Sequence, residues 1–155
     1  MALRKIVYEG DEILRKHCKP IDEVTDRIRG ILDDMLETMR ANDGVGIAAP
    51  QVGIMRRMFI VETEPGDVIE LINPEIVEHD GSQTGDEGCL SIPGYIGTVT
   101  RPAYVKMKGL DRNGNEIEVE GTGLKAVALC HERDHLDGIL YADKATNMRV
   151  PEEEE

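Results

Sequence analysis

The sequence predicts an α+β fold in which short antiparallel sheets surround one central helix. In two segments apolar residues recur at spacings of three and four, which is typical of helices with one buried face. Several short runs alternate apolar and polar residues and are separated by turn residues, which is typical of antiparallel strands. The chain has no internal repeat and no evident linker, so we expect a single domain.

The first long helix is predicted over residues 24–39. One continuous apolar stripe supports it, formed by Ile28, Ile31, Leu32, Met35, Leu36 and Met39. Asp22 or Thr25 could cap its start, because both side chains carry oxygens that accept backbone N–H groups. A shorter helix is predicted over 12–17.

Strands are predicted at 58–61, 68–72, 75–78, 104–108 and 116–120. Asn73-Pro74 predicts a break between the second and the third of these runs. The segment from Asp111 to Asn115 contains Asn-Gly and predicts a hairpin between the last two. A second long helix follows, with Thr122 as its candidate cap and Gly138 as its candidate end.

Composition limits the classes of function. The chain has 155 residues, a formal net charge of −13, one Phe and no Trp. The acidity argues against nucleic-acid binding, and so few aromatic side chains leave no platform on which bases could stack. No apolar run is long enough to span a membrane, and residues 1–8 lack the apolar core of a secretion signal. Three cysteines without obvious pairing suit a reducing compartment, so we expect a cytoplasmic protein.

The most informative segment is His131-Glu132-Arg133-Asp134-His135. Two histidines four residues apart lie on the same side of a helix and can bind one metal ion together. A glutamate directly after the first histidine can then take a proton from a water molecule, which is the arrangement for metal-assisted hydrolysis of an acyl bond. A charged surface turn is the simpler explanation. The apolar stripe upstream, which includes Leu124 and Val127, argues against it because this stripe continues into the two histidines.

A catalytic metal needs a third protein ligand, with one position left open. Metzincin proteases place a histidine six residues after the second one, where this chain has Tyr141. Zincins of the thermolysin type use a glutamate from a later helix, and the only later glutamates form the terminal run 152–155. Cys89 is the better candidate, because a thiolate is a strong ligand for a borderline-soft metal and the glycines around it predict a tight, irregular segment.

A third segment contains two glycines and ends in an amide: Gly44-Val45-Gly46-Ile47-Ala48-Ala49-Pro50-Gln51. The small residues allow another backbone to come close, and the Gln51 amide can donate to a developing oxyanion. A surface turn would explain this segment equally well when it is taken alone.

In their order and spacing these three segments, with Glu87-Gly88-Cys89-Leu90-Ser91 in the middle, resemble the motifs of the peptide deformylase family. The resemblance extends from Arg4 to about Ala145. It implies an enzyme that removes the N-formyl group from the N-terminal formylmethionine of newly made proteins and releases formate. It also implies a single catalytic domain over 1–148, and the terminal acidic run predicts a flexible tail over 149–155.

The resemblance implies functions for individual residues. Cys89, His131 and His135 would bind the metal. Glu132 would act first as general base and then as general acid. Gln51 and the backbone N–H of Leu90 would form the oxyanion hole.

The substrate-binding residues are also carried over from the resemblance. The peptide would lie as an added strand against Val45, Gly46 and Ile47. Gly88 and Ala128 would line its site. Glu87 and Arg101 would support the metal ligands or orient the neighbouring loop.

The implied cofactor is one divalent metal, Fe²⁺ in the cell, with Zn²⁺, Ni²⁺ or Co²⁺ in purified protein. The implied partners are N-formyl-methionyl nascent peptides. We expect transient proximity to the ribosome without contact through the acidic tail, which phosphates would repel. Cys130 stands where the family commonly has glutamine. We expect this difference to change the helix packing or the pocket edge and to leave the ligands intact.

Two alternatives remain open on the sequence. A zincin-like metallopeptidase would need another ligand in place of Cys89. A closed structural zinc site would need a fourth protein ligand, for which these motifs offer no candidate.

Overall fold

A computed structural model describes residues 2–151 and has the α+β architecture that the sequence predicts. The strands are β1 (Gly46–Ala48), β2 (Met58–Val61), β3 (Ile69–Asp80), β4 (Gln83–Cys89), β5 (Ile92–Arg101), β6 (Tyr104–Leu110), β7 (Glu116–Thr122) and β8 (Thr146–Arg149). The helices are α1 (Asp26–Ala41), α2 (Gly123–Leu136) and α3 (Tyr141–Lys144), with 3-10 turns at Glu12–Arg15 and Ala49–Val52.

The strands form two antiparallel sheets. Five strands pair in the order β1-β2-β3-β6-β7, and three pair in the order β4-β5-β8. β1 and β4 are therefore edge strands of different sheets. Within residues 2–151, none of the helices combines the length and the apolar character needed to cross a membrane.

Helix α2 is the central helix. It packs against β1, β2, β6 and β7 of the larger sheet, and Ala126, Ala128 and Leu129 belong to the core cluster between them. Thr122 occupies the cap position without a capping side-chain bond. The helix ends at Leu136, and the chain turns at Gly138 with φ +76°. A side chain at Gly138 would also collide with the backbone of Arg15.

Helix α1 confirms the predicted apolar stripe, with bounds shifted by two residues. Thr25 is its cap, because the Thr25 hydroxyl accepts from the N–H of Ile28 at 3.3 Å. The helix predicted over 12–17 is wrong in type and length, since only the 3-10 turn Glu12–Arg15 forms. The backbone is already extended at Lys16, and the N–H of Cys18 donates to the carbonyl of Leu136 at 2.8 Å.

The predicted break at Asn73-Pro74 is wrong, since β3 continues through it. Asn73 has φ +53°, and the pairing of β3 with β6 shifts register between Ile72 and Glu75. The Asn73 side chain stabilises this bend, because its amide bonds both the N–H and the carbonyl of Ile21 at 2.8 Å. A bulge is one of the few places where a strand accepts a proline, so the strand bends and does not end.

The hairpin of β6 and β7 confirms its prediction, with Leu110 and Glu116 paired next to the turn. Arg149, placed at the start of the tail from the sequence, is the last residue of β8, and its guanidinium donates to Asp86 at 2.6 Å. Residues 152–155 of the predicted tail lie outside the described residues. The division into a domain over 1–148 and a tail therefore stays a prediction.

Candidate active site

A cavity of about 340 Å³ lies where the edges of the two sheets meet helix α2. One wall is formed by residues 43–46 at β1 and a second by residues 86–90 at the end of β4. The third wall is the face of α2 that carries Val127, Ala128, His131 and Glu132. The three motif segments, far apart in the chain, therefore surround one space.

Cys89, His131 and His135 come together at the inner end of this cavity. Each offers one ligand atom, and the three atoms lie within 4.8 Å of one another. Sγ of Cys89 lies 3.4 Å from Nε2 of His135. Both histidines are buried, because the helix places them on the face that packs against the sheets.

A buried ion-pair network stands behind His131. Its Nδ1 donates to Glu87 at 2.9 Å, which directs Nε2 toward Cys89 and His135. The Arg101 guanidinium donates twice to Glu87, at 2.9 Å each, and once to Asp134 at 2.6 Å. Only 3% of the Arg101 side chain is exposed, so these charges are paired away from water. The network fixes the ring orientation and the tautomer of His131.

The Gln51 side chain is held in one orientation. Its Oε1 accepts from the N–H of Ala48 at 2.9 Å, and an N–H can only donate, so the amide nitrogen must point the other way. That nitrogen donates to the Ser91 hydroxyl at 3.1 Å and lies 3.4 Å from Sγ of Cys89. Gln51 thus presents a buried donor beside the Cys89 sulfur.

The Glu132 carboxylate lies against the backbone of Gly46. A Cβ added at Gly46 would overlap the end of the carboxylate and would sit 2.9 Å from its carbon. Oε1 of Glu132 is buried and has no hydrogen-bond partner among residues 2–151. The glycine is therefore required by space, and the carboxylate keeps an unused acceptor inside the cavity.

The pKa values of these groups follow from burial and from their neighbours. Burial raises the pKa of Glu132 to about 7, against a lowering effect of His131. Burial lowers the pKa of His131, but Glu132, Cys89 and Glu87 together raise it to about 10. Burial and the charge of His131 hold the pKa of His135 well below its usual value. The carboxylates of Glu87 and Glu132 thus favour a positive charge at His131.

The same arrangement fits a divalent metal. Ligand distances of about 2.0–2.3 Å in a tetrahedral geometry separate a sulfur and a nitrogen ligand by roughly 3.5 Å. The Cys89 to His135 distance of 3.4 Å agrees with this spacing. One thiolate and two imidazoles suit iron, zinc, nickel or cobalt. Three ligands leave one position open, as in catalytic sites.

Comparisons with known proteins identify the family of this chain. A family model described as polypeptide deformylase matches residues 3–150. A peptide deformylase from Thermoanaerobacter pseudethanolicus is 54% identical over 155 residues, which is 100% of this chain and 97% of that protein.

The chain belongs to the peptide deformylase family.

Solved peptide deformylases share the fold of this chain. The crystal structure from Thermotoga maritima has a TM-score of 0.90 at 38% identity, over 93% of this chain and 98% of the other. An Acinetobacter baumannii peptide deformylase with Met-Ala-Ser bound has a TM-score of 0.88 at 34% identity, over 92% of this chain and 98% of the other. Peptide deformylases are metal-dependent enzymes that remove the N-formyl group from nascent peptides. Family membership supports this reaction over that of a zincin-like metallopeptidase.

Most residues predicted for the deformylase site lie around the cavity. Val45, Gly46, Gly88, Leu90 and Ala128 all line it. Ile47 differs, because its side chain is fully buried in the core cluster that includes α1 and β2. Only the backbone of Ile47 could contact a peptide, since alternate residues of a strand face opposite sides.

Cys130 is not part of the cavity wall formed by the described residues. Its side chain is buried in the core between α2 and the larger sheet. Burial raises the pKa of its thiol to about 11, against a lowering effect of Arg101. The position of Cys130 therefore favours an effect on helix packing over an effect at the pocket edge.

Sequence reasoning missed three residues of this deformylase site. The ring of Tyr141 stacks on His131 with 5.8 Å between the ring centres. Ser91 accepts the Gln51 amide, and Asp134 pairs with Arg101. Ser91 and Asp134 lie inside recognised motifs. Their polar side chains at motif positions could have indicated that they contact other site residues. Nothing in the sequence points to Tyr141, whose partner lies ten residues earlier on another helix.

We expect Gly46→Ala to reduce deformylation about 10²-fold in kcat/KM, because the added methyl group displaces the Glu132 carboxylate and a displacement of about 1 Å can cost that much. Gly85→Ala is the matched control, since a Cβ there meets no atom within 4 Å. Formate release and bound metal should be measured for both variants. Equal kcat/KM in the two variants would show that Glu132 needs no such placement.

Proposed function

We propose that this chain deformylates N-formyl-methionyl peptides in the cavity between β1, β4 and α2, with Glu132 as the proton carrier. The observation that carries this proposal is a single cavity lined by the buried Glu132, by Gln51 and by Cys89 and His131 of the candidate metal group. The Acinetobacter baumannii relative with Met-Ala-Ser bound adds support. A peptide that begins with methionine and carries no formyl group is what deformylation leaves behind.

The peptide binds as an added strand at the open edge of β1. This edge is available because β1 pairs only with β2 within the sheet. The backbone at Val45, Gly46 and Ile47 offers main-chain hydrogen bonds. Gly88 and Ala128 bound the space across from that edge. Main-chain recognition suits an enzyme that must accept many sequences after the first methionine.

Cys89, His131 and His135 hold one divalent metal, and Fe²⁺ is the metal we propose in the cell. Zn²⁺, Ni²⁺ or Co²⁺ could occupy the same ligands in purified protein. When bound, such a metal acidifies water and polarises a carbonyl oxygen. Glu87 and Arg101 act on this centre indirectly, because they hold His131 in place.

Glu132 moves the proton in both halves of the reaction. It takes a proton from the attacking water while the oxygen bonds to the formyl carbon. The oxyanion that develops accepts from the Gln51 amide and from the N–H of Leu90. Glu132 then passes the proton to the departing nitrogen as the carbon–nitrogen bond breaks, which releases formate and a free amine. A pKa raised to about 7 suits a group that must both take and give a proton near neutral pH.

We place this reaction in the cytoplasm, on peptides that have begun to leave the ribosome. The net charge of −13 disfavours direct contact with ribosomal RNA. The four glutamates at 152–155 make the tail the least suitable part of the chain for such contact. Proximity to the ribosome would therefore be transient.

Formate release from formyl-Met-Ala-Ser tests the proposal. The protein should be loaded with Fe²⁺ or Co²⁺ without oxygen and compared on acetyl-Met-Ala-Ser and on a longer peptide with a blocked N-terminus. We expect rapid release of formate, slow or no deacetylation, and no internal cleavage. Internal cleavage without formate release would favour the zincin-like function. One bound metal per chain without either activity would favour a structural site.

A further inference from the structure

We propose that residues 6–9, here called the N-terminal strap, position the two oxyanion donors of the site. The proposal rests on the proposed function in one respect, namely that the Gln51 amide and the Leu90 N–H are those donors. None of the sequence motifs includes the strap. Its connection to the site is visible only in the backbone hydrogen bonds.

The strap joins the two donor segments directly. The N–H of Val7 donates to the carbonyl of Gln51 at 2.7 Å. Two residues later, the N–H of Glu9 donates to the carbonyl of Ser91 at 2.8 Å. A three-residue piece of chain therefore bridges two segments that are 40 residues apart in sequence.

Both contacts lie next to the donors themselves. Ser91 follows Leu90 directly, and its hydroxyl accepts the Gln51 amide at 3.1 Å. A shift of the Ser91 backbone would therefore move the Leu90 peptide and the Gln51 side chain together. The strap thus holds the segment that contains Gln51 and the segment that contains Leu90 at a fixed distance from each other. The two donors need that distance to bind the same oxyanion.

The strap is itself anchored on both sides. Ile6 packs on the core cluster of α1, and Val7 packs on the cluster that contains Leu14 and Ile92. Upstream, the N–H of Arg4 donates to the Thr38 hydroxyl at 2.9 Å. The side chain of Glu9, in contrast, is exposed. Among residues 2–151 its only hydrogen bond to the donor segments comes from the backbone N–H.

Glu9 allows this N–H to be removed with little other change. Residues 8–11 form a turn in which the N–H of Asp11 donates to the carbonyl of Tyr8 at 3.2 Å. Gly10, the third residue of the turn, has φ +105°, whereas Glu9 does not have a positive φ. This is the geometry of a type II turn, which favours proline at the second position. Glu9→Pro should keep the turn and remove only the bond to Ser91.

The experiment compares Glu9→Pro with Glu9→Ala, which removes the side chain and keeps the N–H. We expect Glu9→Pro to lower kcat about tenfold, since loss of a whole oxyanion donor costs about 10²–10³ and here the donors are only displaced. KM should stay within about twofold, because the affected contacts form in the transition state. Glu9→Ala should match the wild type in both constants.

Two further readouts separate positioning from a general loss of stability. Hydrogen exchange of the Gln51 side-chain amide, followed by NMR, should be faster in Glu9→Pro than in Glu9→Ala. The double variant Glu9→Pro with Gln51→Met should lose less kcat than the product of the two single fold-losses, because both changes act on the same donor pair. A variant that is merely less stable would exchange all of its slowest backbone amides faster as well, and its kinetic effect would multiply with that of Gln51→Met.

Equal kcat and equal amide exchange in Glu9→Pro and Glu9→Ala would overturn the strap proposal. If the wild type released no formate, the proposed function would fall, and the amide exchange would still decide whether the strap orders Gln51. If Glu9→Pro did not fold, an ester at position 9 would remove the same N–H. Cys18 allows that chain to be made by ligation of a synthetic segment 1–17.

Discussion

A Glu132→Gln variant is expected to keep its metal and to lose at least about 10³-fold in kcat/KM, since general acid–base catalysis contributes about 10²–10⁴ and this residue serves two proton transfers. Glutamine has the shape of glutamate and fits against Gly46 without a new clash. Its amide cannot take a proton from water or return one to the leaving nitrogen. The ligand atoms of Cys89, His131 and His135 are unchanged.

Metal content and thermal unfolding are the controls for this variant. In the metal-free protein, folding raises the pKa of Glu132 from 4.5 to about 7, so its ionisation costs stability as pH rises through that range. The amide removes this cost, and the Tm of metal-free Glu132→Gln at pH 8 should equal or exceed that of the wild type. Deformylation close to the wild-type rate would rule out Glu132 as the proton carrier.

Arg101→Met is expected to lower the free energy of unfolding by about 3–5 kcal/mol, because it removes the guanidinium from two buried carboxylates and leaves Glu87 only His131 and Asp134 only Lys144 as partners. Glu87 and Asp134 both lose their guanidinium donors, and Arg101 is the buried cation between them. Methionine restores most of the volume but none of the charge. The result should appear in urea unfolding as a lower midpoint with an unchanged slope.

Arg112→Met is the matched control for that measurement. Arg112 also donates twice to a glutamate, Glu70, and once to an aspartate, Asp33, but 35% of its side chain is exposed. Exposed pairs contribute about 0.2–1 kcal/mol, so this variant should unfold nearly as the wild type does. If both variants lost the same stability, burial would not be what makes the Arg101 network important.

The Arg101 network also predicts how stability depends on pH. Burial raises the pKa of Glu87, but the bonds from His131 and Arg101 outweigh burial and lower it to about 2. The stabilisation from this ionised carboxylate is therefore complete above its usual pKa of 4.5 and is lost as pH falls toward 2. In Arg101→Met the loss should begin at higher pH, which acid unfolding curves of the two proteins would show.

The parts of this molecule that depend on local spacing could be predicted from the sequence. The interval between His131 and His135 places both imidazoles on one face of α2, whatever the rest of the fold does. The oxygen-bearing side chain of Thr25 before a periodic stripe gives the start of α1. The Asn-Gly turn predicts the hairpin of β6 and β7. All three features depend on contacts between near neighbours in the chain.

The parts that depend on distant partners could not be predicted in this way. Asn73 continues β3 because its side chain meets Ile21, 52 residues earlier. Arg101 reaches Asp134 across 33 residues, so a lone arginine in a strand gave no sign of its two carboxylates. Ile47 shows a third limit. A three-residue strand has too few positions for the sequence to reveal which face turns inward.

If peptides bind along β1 as proposed, the shortness of this strand sets how many of their residues can pair with it. Three residues at about 3.3 Å each span roughly 10 Å, and the backbone then turns away at Pro50. An edge this short would pair with only the first few residues of a bound peptide. The strand pairing could not continue along the rest of that peptide. It is also too short to template association between copies of the protein, the usual hazard of an open edge. In the proposed mode of binding, only the beginning of a chain would therefore contact this edge, whatever the length of the chain.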